Sequence, residues 1–111
     1  MKFQVEITDC AHEDIGRNAL WWAEHHSYEQ AVHWKDAIYE QLNELSLTPE
    51  RHSLAAENAD FAFEIREKLV GVGARPSYRA VFTIQHNMVY VLTIQRGSQD
   101  TLHPEDIFFE P

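Results

Sequence analysis

Tyr78 to Gly97, YRAVFTIQHNMVYVLTIQRG, is the stretch on which the fold turns. Two runs rich in β-branched and aromatic residues, Tyr78 to Ile84 and Met88 to Ile94, flank His86 and Asn87, and Asn tolerates the positive φ of a tight turn. This predicts a β-hairpin. A two-residue loop sets Gln85 opposite Met88 and, counted outward, Arg79 opposite Ile94. One face then carries Arg79, Val81, Thr83, Tyr90, Leu92, Ile94 and Arg96. The other carries Tyr78, Ala80, Phe82, Ile84, Val89 and Val91, which is apolar enough for a core. The register makes Arg79 and Arg96 diagonal neighbours, in reach of one anionic partner.

Upstream, Lys2 to Thr8 alternates Phe3, Val5 and Ile7 against polar residues, as a half-buried strand does. Thr8 or Asp9 can cap a helix whose apolar stripe is Ala11, Ile15, Ala19, Trp22 and Ala23, running to about His26. Ser27 opens a capping box with Gln30, so a second helix follows, with Ala31, Trp34, Ile38, Leu42 and Leu45 inward. Thr48-Pro49 stops it. So short a link predicts an antiparallel helix pair. Glu50 to Asp60 reads as a loop. Phe61 to Leu69 alternates Phe61, Phe63, Ile65 and Leu69 against Glu64, Arg66 and Lys68, which predicts a strand whose polar face adds a third arginine. Gly71, Gly73 and Pro76 mark the link to the hairpin. Leu102 to Pro111 is compatible with a short strand, a helical turn or a docking tail.

The order is strand, helix, helix, strand, strand, strand. It predicts an α+β fold in which two helices back one four-stranded antiparallel sheet, leaving the far face to Arg66, Arg79 and Arg96. The 111 residues, 44% hydrophobic and 24% charged, suit one domain spanning 1–111. A single cysteine, Cys10, excludes an internal disulfide, and the absence of a leader or a long apolar run points to the cytoplasm with no membrane partner.

The formal charge of −9 argues against nucleic-acid binding by the whole surface. Its distribution is uneven: residues 1–60 hold 12 acids and 4 bases, residues 61–99 hold 2 and 5, and residues 100–111 hold 4 and none. The sheet half is therefore locally basic. The seven histidines show no metal-ligand spacing, so neither a metal nor a cofactor is expected. Trp21 and Trp22 fit a core anchor with one partly exposed ring. Cys10 opens a helix but has no placed base.

Several short strings then combine. They are Ala11-x-x-Asp14-Ile15, Ala31-x-x-Trp34, Leu45-x-x-x-Pro49, Ala56-Glu57-Asn58, Ile65-Arg66-x-x-Leu69, Ser77-Tyr78-Arg79-Ala80-Val81-Phe82, and Val89 to Ile94 followed by Gln95-Arg96-Gly97. In this order and spacing, over roughly residues 3–100, the chain resembles the RelE/ParE superfamily of growth-inhibiting toxins from type II toxin–antitoxin systems, which are associated with plasmid stabilisation. The resemblance implies a helical hairpin on a four-stranded antiparallel sheet, and a cognate antitoxin that wraps the toxin. RelE-like members cut messenger RNA in the ribosome, and ParE-like members poison DNA gyrase, so the fold leaves the target open.

If the chain is a nuclease, the resemblance assigns Arg79 and Arg66 to catalysis. Otherwise Arg66, Arg79, Arg96 and Gln99 are the expected target-binding residues. Glu64 stands where the nucleases tend to carry lysine, Gln99 where an arginine is expected, and no C-terminal tyrosine is present; His103, Glu105 and His86 are the remaining candidates for proton transfer. These departures favour a ParE-like, non-enzymatic toxin. The alternatives are an mRNA endoribonuclease and a degenerate, non-toxic member. Homodimerisation is left open. A structural role for Arg79, bridging strand carbonyls or Glu57 and Glu64, competes with catalysis.

Overall fold

The computed structural model describes residues 2–74, 76–97 and 101–110. Thr8 caps the first helix by accepting the N–H of Ala11, and Ser27 caps the second by accepting that of Gln30. The elements are β1 (Gln4–Ile7), α1 (Asp9–His25), α2 (Tyr28–Asn43), β2 (Arg66–Val70), β3 (Tyr78–Gln85) and β4 (Met88–Arg96). α2 passes into a 3-10 turn at Glu44–Ser46, a few residues before Thr48-Pro49. At the hairpin turn it is His86, not Asn87, that takes the positive φ, 58°.

The sheet order is β1-β4-β3-β2. It departs from the all-antiparallel expectation in one pairing, because β1 runs parallel to β4 with Gln4 beside Met88 and Ile7 beside Val91. The path of α1 explains this. Instead of doubling back over β1, α1 continues along β4. The Thr8 N–H reaches the Val91 carbonyl, Asp14 reaches Thr93 and Ile94, and Trp22 reaches Tyr78, which pairs with Arg96. The return is made by α2, whose end lies at the start of β1, where the Phe3 N–H bonds the Ser46 carbonyl. β2 therefore leaves in the same direction as β1, and so does β4.

The predicted strand over 61–69 is shifted. Only Arg66–Val70 pairs with β3, because the backbone just before it is already committed: the Ile65 N–H goes to the Asn58 side chain and the Ile65 carbonyl to the Ala55 N–H. Phe61, Phe63 and Ile65 still share a side, but it faces away from the helices. There they meet Ala55, Val81, Leu92, Leu102 and Ile107 in a second core, beyond the main one of Ile15, Trp34, Ile38, Leu42, Ala80, Phe82, Val91 and Ile94. The sheet is thus covered on both faces, by helices on one and by the 53–65 loop and the C-terminal tail on the other.

The β3–β4 ladder carries one irregularity. Val81 pairs with Thr93 but Phe82 with Val91, so Leu92 is left without a partner as a β-bulge. Up to Val91 the predicted faces hold. Beyond the bulge they are reversed, so Ile94 pairs with Ala80 under the helices and Arg79 faces Gln95. Asp14 of α1 holds the bulge. Its buried carboxylate accepts from the Thr93 hydroxyl at 2.5 Å and the Ile94 N–H at 3.1 Å, and pairs with Arg17 at 2.7 Å.

Candidate functional site

Because β3 alternates regularly, Arg79 projects from the helix-free face, opposite Gln95 of β4 and beside Leu69 of β2. Its guanidinium is not presented outward. Nη1 and Nη2 grip both oxygens of Glu57, at 2.9 and 2.5 Å, Nη1 also donates to Glu67 at 3.0 Å, and Nε and Nη2 donate to the Gln95 side chain at 3.3 and 2.9 Å. These five bonds match the five N–H groups that a guanidinium owns. The Arg79 side chain is 13% exposed and that of Glu57 7%.

The electrostatics follow from that geometry. The bidentate bond from Arg79 holds the Glu57 carboxyl down to about 2, against burial pushing the other way, and the Leu102 N–H at 2.9 Å assists. The same bond raises Arg79 above its ordinary value. An incoming phosphate would have to displace two carboxylates to reach this cation. Glu57 therefore ties together a loop, β3 and the tail.

The other two arginines lie on the opposite side of the sheet, which corrects the expectation that all three share a face. Arg66 pairs across the strands with Phe82 of the main core. Its Nη1 donates to the carbonyls of His52 at 2.6 Å and Glu50 at 3.2 Å, and its Nη2 to Glu64 at 3.1 Å. The alternation over 61–69 turns its apolar residues Phe61, Phe63 and Ile65 to the second core, so its polar side, with Arg66, lies towards the helices. Arg96 pairs with Tyr78 and lies over the Trp21 ring of α1, 5.0 Å from its centroid. The bulge at Leu92 puts it there. Gln99 lies outside the described residues.

His86 sits exposed at the hairpin turn, and His103 is exposed at the start of the 3-10 turn Pro104–Asp106. Arg79 bonds Glu57, Glu67 and Gln95 rather than either histidine. Among the described residues no group of three or more His, Cys, Asp or Glu is placed to hold a metal ion, and no helix is long and apolar enough to cross a membrane. Of the partners of Arg79, Glu57 was anticipated. Glu67 and Gln95 were missed, since both depend on registers that the sequence leaves open.

No family model matches the chain, and no curated protein matches it. Among solved structures, a chain of "Chromosomal ParDE TA system from P. aeruginosa" superposes with a TM-score of 0.70 at 17% identity, covering 86% of this chain and 96% of that one. At that identity the likeness speaks to the fold. This chain has the α+β, RelE/ParE-like fold.

Proposed function

We propose that the chain is the toxin component of a type II toxin–antitoxin module, acting as ParE-like toxins do, by binding an essential target rather than by cutting RNA. DNA gyrase is the candidate target and a cognate antitoxin the neutralising partner. The fold likeness to a ParDE toxin–antitoxin structure supports the class. The observation that carries the non-nuclease reading is the placement of Arg79 and Arg66. One is closed inside a Glu57–Glu67–Gln95 clasp, and the other lies on the opposite side of the sheet, bonded to main-chain carbonyls. Phosphoryl chemistry on RNA needs cations aimed at one phosphate, with groups in reach to take and give protons. These two do not converge.

Induced expression in bacteria lacking the neighbouring gene tests this. Growth arrest with intact messages and induced DNA damage is the expected result. Arrest with messages cut at codons would establish the nuclease alternative instead, and unimpaired growth would leave a non-toxic relative. Arg79→Lys, which keeps the charge but loses the fork, is expected to reduce toxicity only as far as it reduces the folded fraction.

A further inference from the structure

Residues 101–110 cross the helix-free face of the sheet, and what holds them there differs from what holds the rest. Leu102 and Ile107 are buried in the second core, and the Phe109 ring lies 4.9 Å from that of Tyr90 and 5.5 Å from that of Phe63. The backbone is anchored far less. Among the described residues, the Asp106 and Ile107 N–H groups bond only within the tail, to His103 and Pro104, and the Leu102 N–H bonds the Glu57 carboxylate rather than a strand. Beside the far end, a cleft of about 800 Å³ opens between Phe108, Phe109 and Glu110 on one side and Glu6, Ile7 and Cys10 on the other, and Phe108 is 90% exposed.

A segment seated by three apolar side chains and one carboxylate, without a ladder, opens more readily than the sheet beneath it. What it covers is a continuous apolar floor of Ile65, Val81, Leu92 and Tyr90. We propose that this floor is a docking trough for a peptide segment, filled in cis by the chain's own tail. Its occupant in trans is a segment of a partner protein carrying the same pattern: an apolar residue, a second apolar residue five positions on, and an aromatic two further. The seated tail supplies the argument for that chemistry, because Leu102, Ile107 and Phe109 show the spacing and side-chain types the floor accepts. The inference stands whether or not the chain arrests growth.

The test uses the whole chain. In native-state hydrogen exchange the Leu102 amide is expected to exchange at least roughly a hundredfold faster than the Val89 and Val91 amides of the central strand β4. Exchange of Leu102 at the same rate as β4 would overturn the proposal, since the tail would then leave only on global unfolding. In parallel, a fluorescent peptide of residues 101–110 is titrated into wild type and into an Ile107→Ala/Phe109→Ala variant, whose tail is weakened. The variant is expected to bind at least roughly tenfold tighter than wild type, because the competing tail is removed. A Leu102→Ala/Ile107→Ala peptide is expected to bind neither. Equal binding by a folded variant and by wild type would overturn the trough, and if the variant does not fold, the exchange result on the wild type decides.

Discussion

Glu57 accepts from a guanidinium on one side and from the Leu102 N–H on the other, so one carboxylate closes the helix-free face. Replacing it by Gln leaves the buried Arg79 with Glu67 as its one carboxylate partner, beside the neutral Gln95 side chain. The expected loss is about 2–4 kcal/mol, read from the urea midpoint. The same carboxyl makes a pH prediction with a definite sign. It titrates near 2 in the folded protein against an ordinary value of 4.5, so it stabilises the fold above about pH 4.5, and that contribution fades as pH falls towards 2. Urea unfolding followed between those limits is expected to show a drop of about 3 kcal/mol in wild type that is missing in Glu57→Gln. Asp14 is the counterpart on the helix face. Asp14→Ala strands two buried donors, Thr93 and Ile94, and is expected to cost about 2–4 kcal/mol. Faster exchange of the Ile94 amide, with β2 unchanged, would localise the damage.

The helices are where local sequence speaks most directly. Ser27 and Gln30 specify the start of α2, and Ser27→Ala is expected to cost about 1 kcal/mol, measured by thermal unfolding. The hairpin was equally legible near its turn, where Gln85 faces Met88 and the faces of β3 alternate as read. The rest was hidden for identifiable reasons. Counting outward from a turn assumes one residue per residue, and Leu92 breaks that count because a carboxylate 80 positions upstream in sequence binds the Ile94 N–H. No local pattern announces such a bond. The stretch 61–69 failed differently: its alternation was visible, but choosing which side is inward assumed a single core. Phe61, Phe63 and Ile65 answer to the second core, whose other members arrive from β3, β4, the loop at Ala55 and the tail. The site inherited both errors. Arg79 was placed on the correct face, while Arg66 and Arg96 were not.

At the scale of the whole molecule, 18 acids against 9 bases on a compact body mean self-repulsion that the few ion pairs leave largely uncompensated. Screening should relieve it. The melting temperature is expected to rise by about 2–5 °C between ~0.01 M and ~0.15 M salt, as the Debye length falls from about 30 to about 8 Å. Scanning calorimetry checks this, and a falling temperature would indicate that the buried Arg79 clasp is more salt-sensitive than its burial implies. The grip of Asp14 on β4 also bears on anyone who cuts the molecule up. A synthetic 78–97 fragment leaves its helical clamp behind, so nothing in the peptide obliges Leu92 to pucker out, and its strands are free to zip without a slip. Such a fragment would display Arg79 and Arg96 on one side, and would advertise a cationic patch that the intact protein does not possess.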